Sequence, residues 1–403
     1  MALPPAAPPL PSSPAALQGV RVIEMGQLIA GPFCGKTLGE FGADVIKIEA
    51  PESGDPLRNW RLIKEGTSVW WQVQSRNKRS VALDLRQTEG QTIARQLIAE
   101  ADVLVENFRP GTLEGWGMSP EELHQLNPGL VMLRISGYGQ TGPMKDRAGH
   151  DINYLSLSGL MGYAGRKYEG PVPMPLQIAD VASGSNNAVI AILAAVFSRS
   201  RSGKGQYLDI SMTDGAFAFN ALAAAAYLVS GEEPTREGFI LNGGSLYDFY
   251  KTADGHYLSF GGLEPQFFAA FCNAIGRPDW IAGGVAPPDC AGVKEEVRKI
   301  IKSKTRGEWK EIFDKTDACV EPVLSLSEAL DSELVRERQL TTDITLPDGS
   351  TVRQPASPFK FSATPPVYGK TGVKAGSHNR EVFLELGYSE EEINEFGKTG
   401  LFS

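Results

Sequence analysis

Three acid–base side chains stand far apart in this 403-residue chain, each in a segment built to present it. His150 lies in Ala148-Gly149-His150-Asp151-Ile152-Asn153-Tyr154, Asp180 in Leu176-Gln177-Ile178-Ala179-Asp180, and Glu264 in Gly261-Gly262-Leu263-Glu264-Pro265. An imidazole titrates near neutral pH, and a carboxylate on another segment can serve as its opposite number in proton transfer. A second carboxylate that reaches the imidazole fixes its tautomer and stabilises the charged ring. Spacing alone does not bring the three together, because an isolated His or Asp is more often a satisfied structural residue. In the structural alternative, His150 caps a turn and Asp180 caps a helix.

The elements that would have to position these groups read as alternating strands and helices from Gly19 onward. Val20 to Glu24, Asp44 to Glu49, Ser80 to Leu85, Asp102 to Glu106 and Leu130 to Ser136 are short apolar runs suited to buried parallel strands. Phe33 to Phe41, Glu89 to Ala101 and Pro120 to Leu126 read as the helices between them. The fold class is therefore α/β, with a Rossmann-like large domain. Gly26, Gly31, Gly35 and Gly39 do not form GxGxxG, so the dinucleotide fingerprint is missing. Ligands of such sheets lie beyond the carboxyl ends of the strands, where Asn107-Phe108-Arg109 and Gly137-Tyr138-Gly139-Gln140 emerge.

Asn186 to Arg201 is expected to be a helix that stops at Ser202-Gly203. Asp180 would sit just ahead of its first turn, where the helix N-terminus favours the ionised carboxylate and makes it a base or a nucleophile, but a poor acid at rest. Gln206 to Ser211 reads as another strand, and Thr213-Asp214 as the cap of an alanine-rich core helix running to about Leu228. Leu246 to Tyr250 and His256 to Phe260 flank Ala253-Asp254-Gly255, a hairpin signal; amphipathic helices follow at Gln266 to Ile275, Val293 to Ser303 and Gly307 to Lys315. The expected division is a disordered tail over 1–18, a large domain over 19–230, a small α+β domain over 238–335, and a C-terminal segment, 345–403, that returns to the large domain. Pro355 to Pro366 is a proline-rich connection, and Glu390 to Phe396 the last helix.

Composition narrows the function classes. A hydrophobic content of 42% supports a sizeable core, and a net charge of −9 argues against a nucleic-acid groove, although a local basic patch can still hold phosphates. The four cysteines have no CxxC spacing, so neither a metal site nor a disulfide framework is indicated, and a reduced, cytoplasmic setting is expected. The most apolar run, Ala188 to Phe197, is too short to span a membrane. Met1 to Gln18 holds six prolines and no charge, and lacks the basic start of a signal peptide.

The words around the candidate residues resemble the class III CoA-transferase (CaiB/BaiF) family over nearly the whole chain. The resemblance runs through Ala30-Gly31-Pro32-Phe33-Cys34, Asn77-Lys78-Arg79-Ser80, Glu106-Asn107-Phe108-Arg109-Pro110-Gly111, Ser136-Gly137-Tyr138-Gly139-Gln140-Thr141-Gly142 and Glu385-Leu386-Gly387-Tyr388-Ser389. The His150 and Glu264 segments are similar, more narrowly, to its racemase branch. That resemblance implies an acyl-CoA substrate, no cofactor beyond its CoA moiety, and an interlocked homodimer in which Glu264 comes from the partner chain. It implies His150 and Asp180 as bases on opposite faces of the α-carbon, Glu264 orienting His150, and Asp151 or a backbone N–H in support. Lys78, Arg79 and Arg109 would hold phosphates, Ala82, Leu83, Asp84 and Leu85 would line the CoA site, and Gly149, Ile152, Asn153 and Tyr154 would touch the acyl end. Met161 and Tyr163, with Tyr154, are candidates for the acyl pocket. Transfer of CoA through an anhydride on Asp180 is the alternative. Against it, Ile29 stands where formyl-CoA transferases carry glutamine, and Gly261-Gly262-Leu263-Glu264 replaces their glycine-rich flap. The chain also departs from its relatives at Ala50, where an arginine is expected.

Overall fold

The structure is a computed structural model that describes residues 14–64 and 66–402. Six parallel strands form the main sheet: β1 (Arg21–Glu24), β2 (Asp44–Glu49), β3 (Lys78–Ala82), β4 (Val103–Glu106), β5 (Val131–Ser136) and β6 (Gln206–Ser211). Their order is β3-β2-β1-β4-β5-β6, so the direction of winding reverses between β1 and β4. The register is regular there, with Val22 paired to Val45 on one side and to Val103 on the other. All six strands lie where the chain's apolar runs place them. β3 is the exception in detail: it starts two residues early and ends at Ala82, because beyond that point the backbone is claimed by the C-terminal segment. Asn379 brackets Ala82, accepting from its N–H at 2.8 Å and donating to its carbonyl at 2.9 Å, and Asp84 N–H donates to the Leu401 carbonyl.

The core of this unit fills one face of the sheet. Ile23, Ile46, Val81, Leu104 and Met132 pack with Ile93, Leu97 and Ile98 of the helix Thr88–Ala99, and with Val382, Phe383 and Ile393 near the C-terminus. Each strand residue here is buried because a parallel sheet covered on both faces leaves no polar side for alternation to record. Truncating the fully buried Phe383 would cost about 3–5 kcal/mol.

Two compact units are present. The first comprises the described residues up to Leu155, Leu176–Ala216 and the segment from Arg338; the second comprises Ser156–Pro175 and Phe217–Glu337. The boundary expected at 230 therefore moves to 216, and Ser156–Pro175 leaves the large unit. The second unit has its own sheet, β7 (Asp248–Lys251), β8 (Tyr257–Phe260) and β9 (Val320–Pro322), antiparallel, over a core of Leu258, Phe260, Phe268, Phe271, Trp309 and Phe313. Helices Pro265–Ala274, Cys290–Ile301 and Arg306–Phe313 lie close to their expected positions.

Several expectations are corrected. Of the tail expected over 1–18, residues 1–13 lie outside the described residues, but Leu17 is fixed by its N–H to the Phe41 carbonyl at 2.8 Å. The expected single helix to Leu228 is two, Met212–Ala218 and Ala221–Ser230. Asn220 divides them by donating its side-chain amide to the Phe217 and Ser158 carbonyls, a local bond that competes with the helical ladder. At the start of the first of these helices Ser211 is the cap, its Oγ accepting from Asp214 N–H, while Thr213 donates to Gly137. The second is not core: none of its residues is buried, and Leu222, Leu228 and Val229 are 69%, 81% and 91% exposed.

The helix expected to begin at Asn186 begins at Ala179. Ala179–Asn186 is wound as a π-helix and continues as the α-helix Asn187–Ser202, closed by Gly203 in the left-handed conformation with its N–H on the Arg199 carbonyl. The combined 24 residues are long and apolar enough to cross a membrane by length and composition, which the shorter run read from the sequence is not. Its first two turns nevertheless carry Asp180, Ser183, Ser185, Asn186 and Asn187, and Ala188, Val189, Ile192 and Ala195 are buried. Both features are those of a helix laid on a sheet.

Candidate functional site

The carboxyl ends of β1 and β4 flank the point where the winding reverses, the place in open α/β sheets where a crevice forms. Asn107, just past β4, accepts from Gln27 N–H at 2.7 Å and donates to the Gln27 carbonyl at 3.0 Å, which ties the two strand ends together. Leu28 follows at φ +63°, its N–H held by both oxygens of Asp55 at 3.1 Å, and the helix Ala30–Glu40 begins two residues later. A side chain at Gly26 would come within 2.9 Å of Gly31 Cα, so the loop closes only because both positions are glycine.

At the end of β5 two aromatic rings meet, Tyr138 and Tyr154, edge to face with centroids 5.2 Å apart. Tyr154 is fixed by its hydroxyl, which donates to the Gly149 carbonyl at 2.5 Å. Gly137 and Gly149 make room for the pair: a Cβ at Gly137 would lie 2.4 Å from Tyr154 Cε1, and one at Gly149 would lie 2.5 Å from Tyr138 Oη. The glycines of Ser136-Gly137-Tyr138 and Ala148-Gly149-His150 thus answer one another across space.

The helix Asp151–Leu157 starts beside Tyr138 and Tyr154. His150 precedes it, exposed, with its N–H on Asn153 Oδ1 at 3.0 Å and its carbonyl accepting from Asn153 N–H. Asp151 turns the other way. Its Oδ1 accepts from Ala179 N–H at 2.5 Å and from Asp180 N–H at 3.1 Å, so it serves as the anion at the start of the π-helix. Ser185 completes the turn, donating to the Ala30 and Asp180 carbonyls, which secures the segment to the helix Ala30–Glu40.

This arrangement corrects the expected state of Asp180. Its free first-turn N–H groups go to Asp151, and Asp180 is left partly buried beside that negative charge. Burial first, and the Asp151 charge second, push the Asp180 carboxyl up to about 7. Asp180 so raised can give as well as take a proton near neutral pH, where the helix-terminus argument made it a base or a nucleophile and a poor acid at rest. The Asp151 carboxyl is itself raised by burial, against the opposing pull of the two N–H groups. The Tyr154 hydroxyl is driven far above its ordinary range by burial, and also feels Asp180, Tyr138, Asp151 and, in the opposite direction, Arg109.

Of the sequence-predicted residues, Asp151, Tyr154, Asp180 and Arg109 lie close enough in the first unit for their charges to act on one another, and His150 belongs to the same unit beside Asp151 in the chain. Arg109 is exposed and makes no ion pair among the described residues. Glu264 belongs to the second unit, where it is the residue before the helix Pro265–Ala274, with no side-chain cap bond. Ile152 and Asn153 are exposed on the helix after His150. Among the candidate acyl-pocket residues, Met161 and Tyr163 fall in the second unit, Tyr163 donating to Asn220 Oδ1 at 2.7 Å.

The expected phosphate-binding group is corrected at its first member. Lys78 is sealed in the core, its Nζ 2.7 Å from Glu24 Oε2 and donating to the Pro32 carbonyl, with Lys47 on the other oxygen of Glu24 at 2.9 Å. A buried carboxylate needs these cations, and desolvation holds the Lys78 ammonium down to about 8. Arg79 is engaged by Asp44, Glu381 and Glu385. Ala82 and Leu83 are buried, and Asp84 is turned onto Arg86, whose hydrogen bonds hold its carboxyl down to about 2. Leu85 is packed in the core. Beside Ala50, Glu49 is occupied by Arg58, bonded at 2.7 Å to each oxygen, and by Ser80. Two elements had no clear sequence signal: the Asp151 contact to the π-helix, which spans 28 residues of chain, and the π-winding itself, whose only trace is the small polar run Ser183-Gly184-Ser185-Asn186.

Comparison with known proteins shows the family. The sequence profile described as "CoA-transferase family III" matches residues 17–379. The chain is 39% identical to alpha-methylacyl-CoA racemase of Mus musculus over 94% of its own length and 95% of the relative's. It is 35% identical to succinyl-CoA–D-citramalate CoA-transferase of Chloroflexus aurantiacus, over 94% and 96%. Among solved structures it resembles a CaiB/BaiF family protein from Brucella suis, with a TM-score of 0.81, 29% identity, and coverage of 93% and 100% of the two chains.

Proposed function

The chain belongs to CoA-transferase family III, an acyl-CoA-handling enzyme family, and from that premise we propose that it inverts the α-carbon of 2-methyl-branched or 2-aryl acyl-CoA thioesters. The observation that carries this reading is the contact of Asp151 with the N–H groups of Ala179 and Asp180. It spends the helix N-terminus on Asp151, and burial first and the Asp151 charge second leave Asp180 a carboxyl poised near neutrality, as two-way proton transfer requires and as a resting nucleophile does not.

The α-proton of a thioester is acidic because sulfur delocalises poorly into the carbonyl. In one direction neutral His150 takes that proton, the C–H pair becomes the C=C bond of an enolate, and protonated Asp180 returns a proton to the opposite face. In the other direction the roles exchange. Glu264, from the partner subunit of a homodimer, orients His150, and Arg109 receives a phosphate of CoA. The dimer is supported by the uncovered apolar helix Ala221–Ser230, since exposed apolar patches of this kind mark interaction surfaces. A reducing, cytoplasmic setting accords with four unpaired cysteines.

The second reading is CoA transfer, in which Asp180 attacks the thioester carbonyl, releases CoA thiolate and carries the acyl group as an anhydride. It is favoured by the similarity to transferases at 34–36% identity, close to that of the racemases. A single-hand 2-methylacyl-CoA incubated in deuterium oxide separates the two. Deuterium at the α-position with CoA kept on its own acid is the expected result. CoA moved to an added free acid, without exchange, overturns the racemase reading.

A further inference from the structure

The second unit holds a cleft of about 570 Å³ that the acid–base chemistry above does not use. Its floor is the outer face of the antiparallel sheet. In β7 burial alternates, with Asp248 and Tyr250 inward and Phe249 and Lys251 outward, and Lys251 is paired across the sheet with Tyr257. Phe249 and Tyr257 are 54% and 43% exposed, which puts two aromatic rings on the solvated face of the sheet. One wall is the end of the helix Cys290–Ile301, where Arg298 and Lys302 recur one turn apart. The opposite wall is the tight turn closed by the Arg166–Gly170 bridge, which carries Tyr168, 92% exposed.

Charge is concentrated here against the sign of the whole chain. Five cations line the cleft against three carboxylates, in a protein of net charge −9. Two of the carboxylates are spent locally, Glu237 on Arg166 at 2.8 Å and Glu295 on Arg298. Asp248 beneath the floor anchors Arg166 and Lys294, each at 2.8 Å. Lys251 and Lys302 have no carboxylate within ion-pair distance among the described residues. Aromatic faces beside unpaired cations recognise a ring that bears anionic groups: bases stack on such faces, and phosphates draw the cations.

We propose that this cleft binds a phosphorylated nucleoside, its base on Phe249 and Tyr257 and its phosphates on Lys251, Arg298 and Lys302. The volume lies within the range that encloses small ligands. Free nucleotide and the nucleotide end of a CoA ester share this chemistry. The site stands on the second unit alone and does not depend on which reaction the first unit performs.

Calorimetric titration of the full-length protein tests it with two probes, ADP and CoA. ADP is expected to bind the wild type and to weaken about tenfold or more in Lys251→Glu/Lys302→Glu. Phe249→Ala, which leaves every charge in place, is expected to weaken it about tenfold as well. Lys315→Glu, a charge reversal in the same unit outside the cleft, should leave it unchanged. If CoA binding survives in the double variant, the ligand is free nucleotide; if it falls with ADP, the ligand is the nucleotide end of CoA. Absence of ADP binding to the wild type at millimolar concentration, or equal binding by wild type and both cleft variants, overturns the proposal.

Discussion

Asp151 Oδ1 lies 2.5 Å from Ala179 N and 3.1 Å from Asp180 N, so the acidic residue next to His150 in sequence adds its charge to the surroundings of Asp180. That contact fixes the start of the helix that carries Asp180, and the Asp151 charge adds to burial, the larger cause, in raising the Asp180 carboxyl. Changing Asp151 to asparagine keeps an oxygen acceptor but removes the charge. The expected result is a fall in the Asp180 pKa, read as a shift of the pH–rate profile to lower pH with the fold intact. Asp151→Ala loses the acceptor too and should lower stability by about 0.5–2 kcal/mol in denaturant titration. An unchanged profile in Asp151→Asn would remove Asp151 from the account of Asp180.

A stability signature follows from the raised carboxyl. The folded-state value of about 7 lies above the unfolded one, so the folded form holds the proton more tightly. The destabilisation is absent below the unfolded pKa, grows as pH rises between the two values, and is complete above about 7. Asp180→Asn should therefore melt higher than the wild type at pH 8, and the gap should close toward pH 5. A gap that widens on acidification contradicts the burial of this carboxyl.

The same group gives the two hands of substrate opposite pH responses. Where Asp180 acts as the base, α-proton exchange should rise through about pH 7; where it acts as the acid, exchange should fall over the same range. Single-enantiomer exchange rates in deuterium oxide measure this directly. His150→Ala should abolish inversion of either hand and exchange of the hand whose proton faces His150, leaving only exchange by Asp180, while a transferase would still form a hydroxylamine-trappable anhydride at Asp180.

Arg109 and Lys78 should separate function from stability. Arg109→Ala removes an exposed cation and should raise KM for acyl-CoA, by about tenfold, without moving the melting temperature. Lys78→Met takes one of two cations from buried Glu24 and should cost about 3–5 kcal/mol. A change in KM with unaltered stability in Lys78→Met would restore that lysine to the phosphate site.

Gly137→Ala places a methyl 2.4 Å from the Tyr154 ring. The ring must leave Tyr138 or the strand end must shift, at a cost of about 1–3 kcal/mol. Lower kcat and lower stability together are expected, read by exchange kinetics and thermal melting.

What the sequence determined by itself was whatever is written locally. Apolar runs of four to six residues marked β1, β2, β4, β5 and β6, the Ala253-Asp254-Gly255 turn marked the hairpin, and Gly203 marked the end of its helix, because strand burial and turn geometry depend on neighbours in the chain. The residue types along the chain likewise pointed to the family. Only the tertiary structure decided the state of the candidate residues. It gave the helix N-terminus to Asp151 rather than to Asp180, hid Lys78 under Glu24, and left Ala221–Ser230 uncovered. Each of these turns on desolvation and on charges brought close from distant segments, and neither quantity exists until the chain has folded.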